Sequence, residues 1–264
     1  MRLPEHRAIL RVRIDATSYA DATERVLDWA RRGESRYVCC AAVNNIMEAR
    51  KSADYRTVMD QADLVTSDGM PLVWMLRWLG AHPATRVYGP DLTNTLLEAA
   101  GDAGIPVGFY GGTQAVLDRL VSVAKRRYPR LEVAYAEAPP FREATPEEDR
   151  RTMRAIEDAG VRILFIGLGS PKQDRWMHAH KDRVRGVMLG VGAAFDFLAG
   201  AKPQAPGWMQ ASGLEWMFRL ASEPRRLWRR YLTQNPKFVV LAATQLLLRL
   251  KSPLPAEARS TEST

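Results

Sequence analysis

The chain has 264 residues, 38 Lys and Arg against 30 Asp and Glu, a net charge of +8, a pI near 9.7, and 46% hydrophobic and 8% aromatic residues. That length holds one large domain or two small ones around a buried core, and the apolar fraction excludes an intrinsically disordered protein. The only two cysteines, Cys39 and Cys40, are adjacent, which excludes a disulfide framework and fits a reducing cytoplasm.

Leu10, Val12 and Ile14 alternate with arginines and predict a first strand with one wet face. The charges inside this apolar run also argue against a signal peptide. Ser18 to Arg32 follows as a helix that stops at Gly33. Tyr37 to Val43 is a short apolar run, and Asn45 to Ala62 reads as one helix. Asp63 to Thr66 is another strand, ended by the turn Ser67-Asp68-Gly69, and Pro71 opens a helix where a missing N–H costs nothing. Ile105 to Tyr110 is a strand, and Thr113 caps a helix running to Arg127. Leu131 to Tyr135 is a strand, and Thr145 to Glu148 is a capping box for a helix to Ala159. Val161 to Ile166 is a strand followed by a second capping box, Ser170 to Gln173, and Arg185 to Gly190 is the last clear strand. This alternation predicts an α/β fold, a Rossmann-like, largely parallel sheet with helices on both faces, over residues 1–201.

Beyond Lys202 the strand signal disappears. Residues 202–251 read as a helical, basic, Trp-rich appendage, and residues 252–264 as a disordered polar tail. From Gly213 to Lys251 there are eight basic and two acidic residues, leaving only +2 for the rest of the chain. Arginines interleaved with Trp208, Trp216, Trp228 and Tyr231 suit an interfacial segment, and equally a solvated helix face whose aromatics pack inward. The longest apolar stretch, Phe238 to Leu250, falls short of the ~20 residues a membrane-spanning helix needs.

In open α/β sheets ligands bind beyond the carboxyl ends of the strands, and four turns stand there. Asp68 is either a general base or the cap of the following helix. Gly111 and Gly112 free backbone amides for a phosphate at a helix N-terminus, or form an ordinary turn. Gly169, Lys172 and Gln173 repeat that anion-binding logic, though Gln173 as a capping-box partner of Ser170 needs no ligand. The stretch from Gly190 to Asp196 is small enough for a ligand to approach the backbone, or for tight helix-on-strand packing. His178 and His180 point about 200° apart on a helix and cannot share a metal. No Asp-x-Asp occurs, so the sequence offers no divalent-metal clamp for a diphosphate.

Taken together and in order, these segments resemble the WecG/TagA/CpsF family of bacterial glycosyltransferases (glycosyltransferase family 26). The matching stretches are Ala62 to Pro71, Arg86 to Leu92, Gly167 to Trp176, Gly190 to Gly200, Ala205 to Met209, and Gly213 to Leu220 running into Arg225, Arg226, Arg229 and Arg230. The resemblance implies a hexosyltransferase of the N-acetylhexosaminyl type. It would move a sugar, with inversion, from a UDP-sugar to a polyprenyl-diphosphate-linked sugar during surface-polysaccharide assembly (exopolysaccharide, capsule, teichoic acid linkage or common antigen). It further implies a cytoplasmic protein peripheral on the inner face of the cell membrane, with the appendage on the anionic surface and neither metal nor cofactor. By similarity Asp68 is the base, Arg86 and Gln173 belong to the active site, and Arg219, Arg226 and Arg229 hold the donor diphosphate. Asn44, Gly111, Gly112, Gly169, Lys172 and Asp196 complete the expected substrate-binding set. The family's Thr-x-Asn is replaced by Cys40, Ala41 and Ala42, with Asn44 and Asn45 two and three residues further on.

Two other classes are weighed. A nucleotide-cofactor oxidoreductase needs GxGxxG after the first strand, where Ala16-Thr17-Ser18 stands instead. A nucleic-acid-binding protein rests on the basic pI alone, so no nucleic acid is expected as a partner. A monomer and a homo-oligomer both remain open.

Overall fold

The computed structural model describes residues 4–248, and the backbone alone for residues 226 and 230. The tail expected over 252–264 lies outside the described residues.

The N-terminal alternation does not build a strand of the main sheet. Leu10 and Arg11 take φ of 49° and 73°, a two-residue turn that splits the run into β1 (His6–Ile9) and β2 (Val12–Asp15), an antiparallel hairpin. Its arginines divide as well: Arg11 is exposed in the turn, but Arg13 is only 7% exposed and donates to the Asp15 carboxylate at 2.8–3.0 Å. Asp15 in turn accepts the Val65 N–H at 2.7 Å and ties the hairpin to the sheet.

Helix α1 (Tyr19–Arg32) starts on the Ser18 hydroxyl, which accepts the Asp21 N–H, and ends where Gly33 adopts φ 64°. Strand β3 (Arg36–Ala41) follows. The helix expected from Asn45 to Ala62 is two, α2 (Val43–Lys51) and α3 (Ala53–Asp60). Ser52 divides them: its backbone is extended and its hydroxyl captures the Tyr55 N–H at 3.2 Å, capping a new helix. Next come β4 (Leu64–Ser67), α4 (Met70–Trp78) with Pro71 in its first turn, and α5 (Gly89–Ala103), a helix not among the predicted elements. Its Leu92, Leu96 and Ala100 keep helical spacing, but Gly, Pro, Thr and Asn dilute the pattern.

The second half runs β5 (Val107–Gly111), α6 (Gln114–Arg127), β6 (Val133–Glu137), α7 (Pro146–Asp158), β7 (Ile163–Gly167), α8 (Lys172–Ala179), β8 (Val187–Gly190) and α9 (Ala194–Leu198). Thr145 and Glu148 form the expected capping box. Ser170 and Gln173 do not: the Ser170 hydroxyl bonds Asn45 and Tyr55, and Gln173 accepts the N–H of Gly169. Tertiary partners outcompete the local box there.

All six strands of the main sheet are parallel, in the order β4-β3-β8-β7-β5-β6. Their carboxyl ends therefore share one edge. Side chains alternate into two cores. Tyr37, Leu164 and Met188 pack with α2, α3, α4, α7, α8 and the hairpin, whereas Val38, Phe165 and Leu189 pack with α1, α5, α6 and α9.

Helices α10 (Gly207–Ala211), α11 (Glu215–Ser222) and α12 (Pro224–Leu247) complete the described chain. Phe238 and Ala242 of α12 are buried in the first core. Gln245 accepts the Leu10 N–H at 2.9 Å and donates to the Ala8 carbonyl at 2.7 Å, closing the hairpin onto α12. Among the described residues no helix is long and apolar enough to cross a membrane.

Candidate active site

Asp68 follows β4 at the carboxyl edge of the sheet. It does not cap α4, whose N-cap is Gly69 without a side-chain bond. Instead its Oδ1 accepts the N–H of Gly89, the first residue of α5, at 2.6 Å. A Cβ on Gly89 would stand 3.3 Å from that oxygen, a tight contact that a larger residue would relieve only by shifting the carboxylate. Arg86 donates from Nε to the Asp68 carbonyl at 2.6 Å, from one terminal nitrogen to Gln210 at 3.1 Å, and pairs with Glu215 through the other. Its guanidinium also stacks 4.1 Å above the Tyr88 ring. Glu215 reaches Arg219 at 3.4 Å.

The electrostatics follow from this packing. Burial, and then the nearby Glu215 charge, push the Asp68 carboxyl up to about 6; the Gly89 N–H and the Arg86 and Arg219 charges pull only partly against them. Burial works against the Arg219 charge, but Tyr88, Glu215, Tyr231 and Asp68 raise its pKa above the usual guanidinium range. A carboxylate poised near neutrality beside two guanidiniums can take a proton from a hydroxyl while positive charge meets a developing anion.

These groups line one end of a cavity of about 820 Å³ bounded by α4, α11 and α12. Asn44 lines it too, whereas Asn45 is buried behind it, holding the Ala42 N–H, Tyr55, Ser170 and Asp174. Of the two asparagines near the altered Thr-x-Asn, Asn44 faces the site. With this arrangement in view, the profile of the glycosyl transferase WecG/TagA/CpsF family matches residues 7–252. The chain belongs to that family.

Two relatives carry the name N-acetylglucosaminyldiphosphoundecaprenol N-acetyl-β-D-mannosaminyltransferase. One, from Bacillus spizizenii, is 30% identical over 73% of this chain and 72% of its own length; the other, from Bacillus subtilis, is 28% identical over 73% of each. Nothing in these comparisons supports the oxidoreductase or nucleic-acid reading.

Within this glycosyltransferase the expected site residues divide into two groups. Asp68, Arg86, Asn44 and Arg219 come together on the cavity. Gly111, Gly112, Gly169, Lys172, Gln173 and Asp196 lie along the same sheet edge but outside the cavity lining. A Cβ on Gly111 would meet the Gly167 backbone at 2.6 Å, so this glycine is required by strand packing whatever else it does. Gln173 is buried, Lys172 is exposed, and Asp196 pairs with Lys202 at 3.0 Å. Lys202 also holds Glu223 at 3.2 Å, linking this part of the edge to the start of α12. Arg219 spans the two groups, since its guanidinium lies 5.4 Å from the Phe197 ring on α9. Arg229 is exposed and sits over Trp228 rather than in the cavity. Arg226 lies on α12, and its side chain is outside those described.

Sequence reasoning missed Glu215, Gln210 and the α4 wall, Trp74 and Trp78. Glu215 carried a signal: it is one of two acids in a strongly basic segment. Among the described residues no group of three or more His, Cys, Asp or Glu is placed to hold a metal. His178 lies by the Tyr37 hydroxyl, and His180 stacks on Trp176 and bonds Asp149 at 2.7 Å.

Proposed function

We propose that this enzyme is an inverting, metal-independent transferase that moves a sugar from a UDP-sugar to a polyprenyl-diphosphate-linked sugar in surface-polysaccharide assembly. N-acetylmannosamine is the first donor sugar to test, because both relatives carry it in their names. The observation that carries the reading is Asp68, a carboxyl raised to about 6 by burial, beside Arg86 and Arg219 at the end of a cavity large enough for a substrate. In the step, Asp68 takes the proton from the acceptor hydroxyl as its oxygen attacks the anomeric carbon from the face opposite the diphosphate. The anomeric C–O bond breaks, and UDP leaves with the electron pair, its charge met by guanidiniums and by backbone amides of the glycine turns.

The appendage places this reaction against an anionic membrane on the cytoplasmic side. Support comes from where apolar surface is left uncovered. Among the described residues, every exposed large apolar residue apart from Phe141 lies on α4 or beyond residue 202, and on α12 Trp228, Leu232, Val239 and Val240 share the helix with exposed Arg225, Arg229 and Lys237. An amphipathic, basic, Trp-bearing helix is the composition that lies in a lipid interface.

The test is a donor screen. The full chain is incubated with radiolabelled UDP-sugars and a short prenyl-diphosphate-sugar acceptor, with and without EDTA. Transfer that survives EDTA and vanishes in Asp68→Ala is expected. EDTA-sensitive turnover, or an Asp68→Ala enzyme that keeps its rate, overturns the assignment.

A further inference from the structure

The cavity of about 820 Å³ is charged at one end only. Every charged lining residue belongs to the cluster around Asp68, namely Arg86, Glu215 and Arg219. Away from that cluster the walls are mostly apolar, with Ser212, Gln234 and Asn235 as polar interruptions: Trp74, Met75 and Trp78 come from α4, and Phe238, Val239 and Leu246 from α12. Indole, thioether and methyl surfaces give sugar hydroxyls no partners but suit a hydrocarbon. Two of these residues, Trp78 and Val239, are also 66% and 63% exposed, so the apolar arm reaches the molecular surface. It opens where the uncovered apolar residues of α4 and α12 gather.

We infer that this arm binds the first isoprene units of the acceptor's carrier chain. The inference rests on the proposed transfer to a prenyl-linked acceptor and adds the subsite that reads its lipid. The chain enters from the bilayer between α4 and α12, and the diphosphate-sugar head is delivered to Asp68 without leaving an apolar path. A carrier chain is favoured over a bilayer acyl chain because the arm and the proposed base share one cavity: an occupant of the arm has its polar end at the reacting centre.

Two measurements test this on the full-length enzyme in solution without vesicles or detergent micelles. In the first, transfer is compared between diphosphate-sugar acceptors bearing a dimethylallyl or a geranylgeranyl group. The longer chain is expected to raise kcat/KM by at least about tenfold, a small part of what burying several isoprene units offers. Ala243 is an exposed lining residue of α12, and Ala243→Trp is expected to collapse that ratio towards one. In the second, a diazirine-bearing geranylgeranyl diphosphate is photolysed on the wild-type enzyme, which needs no variant to fold. Labelled peptides are expected from α4 and α12. A chain-length ratio near one in the wild type, a ratio untouched by Ala243→Trp, or labelling confined to other elements overturns the inference. So does a photoreactive phospholipid that labels α4 and α12 where the prenyl probe does not. Absence of transfer to either acceptor counts instead against the proposed function, and the labelling result then stands on its own.

Discussion

The helices of the α/β core and those after residue 202 are built from similar residues and spend them differently. In the core, α1, α3, α6 and α7 begin on a serine or threonine that caps them and their apolar faces are buried, and even α5 and α8, without a side-chain cap, bury residues completely. Helices α10, α11 and α12 have no side-chain cap; α10 and α11 bury no residue completely, and α12 commits Leu227, Phe238 and Ala242 while Val239, Val240 and Leu247 stay exposed. Core helices use hydrophobicity to fold. The terminal helices are held by a few specific contacts and keep most of theirs available, which is the division expected of a rigid catalytic frame carrying an interfacial element.

The contrast is broken first at the frame. Asp68→Asn is expected to lower kcat by about 10²- to 10⁴-fold, the range for losing a general base. The fold is expected to hold. The folded-state pKa of Asp68 is raised from 3.8 to about 6, so its carboxyl favours the folded state less and less as pH rises between those values, and the neutral amide removes that penalty at pH 7. Calorimetry showing an unchanged or higher Tm beside the lost rate checks both halves.

Next in size is the appendage. Basic side chains at an anionic membrane contribute about 1 kcal/mol each, so replacing Arg225 and Lys237 together by Ser is expected to weaken vesicle binding by about 30-fold. Transfer to a short soluble acceptor should fall far less. Co-sedimentation at two salt concentrations, set against the soluble assay, separates the two regions; equal losses in both would erase the distinction.

A smaller effect sharpens the link between them. Above its pKa Asp68 is deprotonated and competent as a base, so kcat/KM is expected to rise with pH through about 6 and to drop roughly tenfold per unit below it. Glu215 on α11 supplies part of the upward shift. Glu215→Gln should therefore move the acid limb to lower pH, and a pH–rate profile that stays in place would show that the appendage does not tune the base.

Last, Gln245→Ala removes the two hydrogen bonds that close the hairpin onto α12. Leaving the Leu10 N–H unpaired is expected to cost about 1–3 kcal/mol, with a Tm loss of roughly 2–4 °C for each. Hydrogen exchange should quicken in α12 and β1 before it does in the central strands.

Much of the core was legible because its signals are local. Ser18, Thr113 and the Thr145–Glu148 box accept N–H groups a few residues away, Gly33 donates its own N–H to carbonyls of the preceding turn, and the strands announce themselves as apolar runs. Reading failed where a local motif met a stronger distant partner. Ser170 and Gln173 had the spacing of a box, but Asn45, Tyr55 and Gly169 took their polar atoms. Ser52 ended a helix that periodicity would have continued, and α5 hid behind glycine, proline and threonine. At the site, Asp68 stood out as a carboxylate in a turn, whereas Arg86 was reached only through the family resemblance. Glu215 and the walls from α4 did not stand out, because nothing in their own segments reveals what they face.

By itself, then, the order of residues determined the alternation of strands and helices, the family, the carboxylate at the sheet edge and the basic character of the last helices, all properties of short stretches. Only the tertiary structure decided that Arg86 and Arg219 meet over Glu215, that Asn44 rather than Asn45 turns to the cavity, and that α4 and α12 enclose an apolar passage. Those outcomes depend on burial and on pairings across more than a hundred residues, where the free energy belongs to the contact between segments and to neither segment alone.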